Sequence, residues 1–246
     1  METIKTSTKA LLVSAFVLLV ILATSPLGYR LELVPLSESL QGLVVAMVGG
    51  VAVLGLCAVY MVRAVRGNLP TNRNWLALAM ALSLVPVIVV LPQLVGGRSV
   101  PSIHDITTDT ANPPPFVALL DVRKRSPNGA KYGASDEWPA NKLAEAQQQA
   151  YPDLAPIMSN LPMAAAVARA EAVLQEMGLQ LAGVDVGAGL LEATATTFWF
   201  GFKDDMVVRV TAVGDGSRVD IRSMSRVGQS DLGVNAARIA DFIARF

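Results

Sequence analysis

Apolar positions are distributed along this chain in two different ways. Three runs free of charged residues, 10–28, 39–62 and 74–97, fill most of its first part, with charges confined to the short segments between them. The hydrocarbon core of a bilayer takes about 20 residues at helical rise. The runs therefore predict transmembrane helices over about 10–28, 40–62 and 75–96. From Arg98 onward the apolar residues alternate or recur every three to four positions, as in a soluble domain. The pattern divides the chain into a membrane region, 1–97, and a soluble domain, 98–246.

Within the second part, 98–160 reads as an irregular, Pro-rich segment. Pro113-Pro114-Pro115 forbids helix and favours an extended path, and one short helix is expected over about 140–149 before Tyr151-Pro152. Residues 161–246 are regular. Asn160 is placed to cap a helix with the stripe Val167, Ala170, Leu174 and Met177, ended by Gly178. Strands are predicted over 179–186 and 190–200 around Gly187-Ala188-Gly189, and over 206–213 and 218–225 around Gly214-Asp215-Gly216-Ser217. A last helix starts near Leu232, capped by Ser230 or Asp231, with Ile239, Phe242, Ile243 and Phe246 on its apolar face. The expected fold class is an α-helical membrane anchor plus an α+β domain. That domain is a four-stranded antiparallel meander flanked by two helices, arranged as a two-layer sandwich.

Charge adds a direction. Lys5 and Lys9 precede the first run, and Arg63, Arg66 and Arg73 crowd the connection between the second and third. The intervening connection has Arg30 beside Glu32 and Glu38. The positive-inside bias places the N-terminus in the cytoplasm and, after three crossings, the C-terminal domain on the far side, which in the inner membrane of a bacterium is the periplasm. A cleavable signal over the first run is disfavoured by Pro26, which would follow directly after the cut at Ala23 and Ser25. Cys57, the one cysteine, lies in the second run, so no intrachain disulfide supports the soluble domain. Its basic residues are scattered, which excludes a nucleic-acid partner. No run contains the ionisable group that transport requires, and Gly42, Ala46 and Gly50 repeat at the spacing of close helix packing, within the bundle or in a homodimer.

Candidate chemistry gathers at one corner. Alternation places Ser223 and Ser225 on the face of Val219 and Ile221, and Asp231, Asn235 and Arg238 share an arc of the last helix. Arg226 and Ser230 lie in the connection between them, and Asp204 with Asp205 opens the third strand. These residues are expected to form a satisfied network, or a small polar site where arginines and a helix N-terminus receive an anionic ligand. A hydrolase using Ser225 or Ser230 with Asp204 or Asp205 is the enzymatic alternative, but no Gly-x-Ser-x-Gly elbow presents either serine. A second group, His104, Asp105 and Asp109, has neither the His/Cys company of a zinc site nor EF-hand spacing, so neither a metal nor a cofactor is expected. Phe198, Trp199, Phe200 and Phe202 end the second strand. Aromatics are generally buried, so the group is expected to pack in the core or cover the sheet; by alternation Trp199 faces away from Phe198 and Phe200, and the alternative for one side is an exposed apolar surface near the bilayer or a partner.

Asp105-Ile-Thr-Thr-Asp109, Pro113-Pro-Pro-Phe116, Asp204-Asp205 and Ser223-x-Ser-Arg-Val-Gly-x-Ser-Asp-x-Gly-x-Asn235-x-x-Arg238-Ile239 together resemble a family of uncharacterised bacterial and plastid proteins known only as a domain of unknown function. The likeness spans roughly residues 100 to 246 and implies no activity, ligand or catalytic residue. The expected function is a non-enzymatic ligand-binding or protein-interaction module of the cell envelope, or a structural envelope subunit. Its partners would be the lipid bilayer, another envelope protein or a small anionic ligand.

Overall fold

The computed structural model describes residues 3–96 and 100–246, which fall into two compact units divided after Gly96. The first unit consists of three helices, α1 (Thr6–Arg30), α2 (Leu36–Arg66) and α3 (Pro70–Gly96), with mean hydropathies of 2.5, 2.5 and 2.4. All three are long and apolar enough to cross a membrane, and each outruns its uncharged stretch by including flanking charges. In α1 the inward positions Leu11, Ala15, Leu18 and Leu22 follow the helical period, while Val13, Phe16, Val17 and Val20 are exposed. A bundle apolar on its outside as well as inside is suited to lipid.

The small-residue stripe of α2 is used within the bundle. Ala46 is fully buried, a Cβ on Gly42 would strike the Ser25 hydroxyl of α1, and a Cβ on Gly50 would come within 2.6 Å of the Ser83 carbonyl of α3. Pro26 lies inside α1, so the helix continues through Ala23 and Ser25.

The second unit is built on one antiparallel sheet of six strands, two more than the alternation predicts. The expected meander is present as β3 (Gln180–Asp185), β4 (Leu190–Thr196), β5 (Lys203–Val213) and β6 (Gly216–Ser225). Two three-residue strands, β1 (Asp105–Thr107) and β2 (Ile157–Ser159), pair in succession along the free edge of β6. Both come from the segment expected to be irregular, which also forms the helices α4 (Leu120–Lys124) and α5 (Ala140–Ala150). Strands this short carry no periodic signal, and it is the edge of β6 that makes them strands.

Helices α6 (Met163–Glu176) and α7 (Val234–Arg245) contribute to the main core. On α6 the buried residues Ala166, Val167, Ala170, Val173 and Leu174 form one helical face. They meet Leu191 and Ala193 of β4, Met206, Val208 and Val210 of β5, and Val219 and Ile221 of β6, together with Ile239 and Phe242 of α7. Gly178 ends α6 in a left-handed conformation (φ +73°), as expected. The helix begins at Met163 with Pro162 at its N-cap position rather than Asn160; Ser159 accepts a hydrogen bond from the Leu161 amide (3.1 Å).

The opposite face of the sheet is also covered. Phe116 and Leu119, from the Pro-rich segment, pack with Val207 and Met224 in a second, smaller core.

Candidate functional site

Alternation along β5 and β6 separates the polar residues into two groups. Asp204, Ser223 and Ser225 share the face of Met206 and Ile221, whereas Asp205 and Arg226 join the opposite group. Asp204 and Asp205 therefore do not belong to one cluster, because neighbouring strand residues point to opposite sides.

On the helix side, Asn235 is at the centre of a closed network. Its Oδ1 accepts from Ser223 Oγ (2.6 Å) and Arg238 Nη1 (2.6 Å), and its Nδ2 donates to Ser225 Oγ (2.9 Å) and the His104 carbonyl (3.0 Å). Arg238 Nη2 completes it with Asp204 Oδ2 at 2.8 Å. Ser223 and Asn235 are fully buried. Asp231 occupies the start of α7, its two carboxylate oxygens accepting from the amides of Gly233 (2.8 Å) and Asn235 (2.9 Å). The chain's own carboxylate thus fills the position where an anionic ligand was expected. Burial pushes that carboxyl above the usual range, and its two amide partners only partly oppose the shift.

Ser230 stands apart, its hydroxyl accepting among the described residues only from the Leu232 amide (3.2 Å). Among the described residues, no carboxylate or imidazole hydrogen-bonds Ser225 or Ser230.

The covered face is ionic. Arg123, from the five-residue α4, is fully buried. It donates to Asp205 Oδ2 (3.0 Å) and to the carbonyls of Met224 (3.0 Å), Ser225 (3.2 Å) and Gly129 (2.6 Å). Arg226 holds the same Asp205 through both carboxylate oxygens, at 2.8 and 2.7 Å, and Thr194 Oγ1 adds a third donor at 2.8 Å. Burial pushes the Asp205 carboxyl up, but the hydrogen bonds from Arg226, Thr194 and Arg123 outweigh it and hold the group below the ordinary range. For Arg123 burial wins and lowers its pKa despite Asp205.

Beside this pair, Arg222 makes a bidentate pair with Asp105 (2.8 Å to each oxygen). Both guanidinium groups lie over the ring of Phe116, Arg123 at 4.8 Å and Arg222 at 5.0 Å from its centroid. The Pro-Pro-Pro-Phe run thus delivers an aromatic ring to both buried cations. Glu192 accepts from three consecutive amides, Val117 and Ala118 (2.7 Å each) and Leu119 (2.9 Å), anchoring the turn before α4. Asp109 pairs with Arg209 (3.3 Å) and Arg218 (3.0 Å).

The expected His104, Asp105 and Asp109 group is therefore dispersed. Asp105 and Asp109 serve separate ion pairs, while His104 Nδ1 contacts the Gln229 carbonyl (3.2 Å), an arrangement that requires the proton on that nitrogen. Among the described residues, no group of three or more His, Cys, Asp or Glu could hold a metal ion.

Arg123, Glu192 and Arg222 are the residues that sequence reasoning missed. The available signal was the charge alternation on one face of β4, β5 and β6 together with a long segment lacking an assigned position, which is uncommon in a compact domain unless it covers something.

One cleft opens beside β1. It holds about 210 Å³ and is bordered by Ile103, His104, Asp105, Asn128, Lys131 and Trp138. The buried Nε1 of Trp138 has no hydrogen-bond partner among the described residues.

In comparisons with known proteins, residues 105–246 match a family described as "Protein of unknown function (DUF1499)". No curated protein and no solved structure matches the chain.

Proposed function

Because the chain belongs to the DUF1499 family of proteins of unknown function, we propose a role from its geometry: a non-enzymatic binding module tethered to a membrane by three helices. The supporting observation is the contrast between closed networks and an open cleft. Asp204, Asp205, Asn235, Arg226 and Arg238 are committed to one another or to neighbouring side chains, so they are scaffolding. The cleft has Lys131, His104 and Asp105 on its border, the last already paired with Arg222, and Trp138 in its wall. Its volume is below the usual range for drug-sized ligands, about 300–1,000 Å³. It suits a carboxylate or phosphate group, carried by a small molecule or by an acidic segment of another envelope protein.

Full-length protein in nanodiscs, titrated calorimetrically with inorganic phosphate and with short carboxylates, should show saturable binding that Lys131→Glu abolishes while the folded circular-dichroism spectrum is kept. Equal behaviour of both proteins toward every probe would remove the cleft as the site.

We further propose that the N-terminus is cytoplasmic and the C-terminal domain periplasmic in a bacterial inner membrane, on the strength of Lys5, Lys9, Arg63, Arg66 and Arg73. Alkaline phosphatase fused after Phe246 should be active there and a fluorescent-protein fusion dark. The reverse pattern would invert the topology.

A further inference from the structure

The strand predicted to run to Phe200 stops at Thr196, and the aromatic residues form the loop between β4 and β5. The loop is closed by its own backbone. Thr197 exchanges hydrogen bonds with Phe202, from its amide to the Phe202 carbonyl (2.9 Å) and from the Phe202 amide to its hydroxyl (2.9 Å), and the Gly201 amide donates to the Thr197 carbonyl (3.0 Å). Gly201 supplies the left-handed turn (φ +68°). Phe200 and Phe202 stack with centroids 4.7 Å apart. The tip is left outward, with Phe198 83% and Trp199 43% exposed, whereas Phe116 and Phe242 elsewhere in the domain are buried. The exposed Lys203 follows immediately.

The strand register fixes where this loop emerges. Asp105, Met224, Asp205 and Thr194 lie in one row across β1, β6, β5 and β4. Three strand spacings, about 14 Å in all, separate the start of β1 from the end of β4. Because neighbouring strands are antiparallel, the chain joins the domain at the same end of the sheet where the aromatic loop leaves it. Ile103 is already buried in the domain core. Only residues 97–102 separate it from the end of α3 at Gly96, and a chain of that length reaches at most about 25 Å. The loop bearing Phe198 and Trp199 thus leaves the sheet at the end where the chain enters from the apolar helices.

We propose that the β4–β5 loop is a second membrane contact. Phe198 and Trp199 enter the headgroup region of the bilayer and Lys203 lies among anionic headgroups, the arrangement that aromatic belts and juxtamembrane cations adopt. The proposal rests on the three helices spanning that bilayer.

The chain has three tryptophans, Trp75 in α3, Trp138 and Trp199, so conservative Trp→Phe changes isolate each signal. Full-length protein is reconstituted in phosphatidylcholine–phosphatidylglycerol vesicles that contain phosphatidylcholine brominated near the glycerol end of its chains. With Trp75→Phe and Trp138→Phe, the remaining Trp199 emission should be blue-shifted and quenched, and adding Phe198→Ser should reduce the quenching. Quenching of a Trp75-only protein beside an unquenched Trp199-only protein would overturn the loop's role and leave the anchor standing, with the aromatic tip facing water or another protein. If neither is quenched, the anchor and the loop contact fall together.

Discussion

The two faces of the sheet solve the same problem with different chemistry. On the helix side an apolar core grades into a neutral corner in which Asn235 divides its hydrogen bonds among two serines, an arginine and a carbonyl, with one ion pair at the rim. On the other side Asp205, Arg123, Asp105 and Arg222 are all almost completely buried, and the cover over them is a segment with little regular structure of its own. A helix can be fixed by a periodic apolar stripe, but an irregular segment needs directional bonds at a few points. The buried ion pairs supply those points at a desolvation cost, so breaking one is far more damaging than its small net contribution suggests.

The sharpest way to break this comparison is Arg123→Met. It removes the arginine donor from three carbonyls, of which that of Ser225 keeps Asn128 Nδ2 (3.1 Å), leaves Asp205 with a reduced set of partners, and should lower unfolding stability by about 3–5 kcal/mol in denaturant titrations of the full-length protein. Acidification comes next. A carboxylate held below its ordinary pKa contributes stability that is present above the unfolded value, about 3.8, and is lost as pH falls through the lower folded one. The covered face should therefore loosen below about pH 4, and Asp205→Asn should flatten that part of the stability profile. Asp231 has the opposite sign, because a raised carboxyl favours the folded state at low pH and loses that contribution as pH rises through its folded value. On the neutral side, Asn235→Ala should cost about 1–3 kcal/mol, the range for leaving buried hydrogen-bonding groups unmatched. A loss equal to that of Arg123→Met would erase the distinction between the faces. The smallest effect is expected at Ser230→Ala, within about 0.5 kcal/mol, since its hydroxyl serves a single amide at the surface.

The elements that were legible in the sequence are those with a period. The meander follows from alternation and from the glycines at its turns, α6 and α7 from apolar stripes, and the anchor from uncharged length. The corner around Asn235 was partly legible, since alternation places Ser223 and Ser225 toward the last helix. The same rule separates Asp204 from Asp205, which grouping residues by nearness in sequence obscures. The ionic face was not legible. Arg218, Asp220 and Arg222 look like an ordinary solvent-facing row, and what buries them depends on pairs such as Asp105 with Arg222 and Arg123 with Asp205, 117 and 82 residues apart. No local pattern encodes partners at that distance, and a five-residue helix such as α4 has no stripe to read. The aromatic loop was misassigned for a related reason. β-propensity continues through Phe198-Trp199-Phe200, but the pairing ends at Thr196 and Lys203.

The position of β1 imposes a timetable on the protein's birth. Its hydrogen-bonded neighbour is β6, so the first strand of the domain to be synthesised must wait for the last one. Until then Asp105 and Arg123 lack the strands against which they pair in the finished domain. The long-range pairs that lock the finished domain also prevent it from closing too soon.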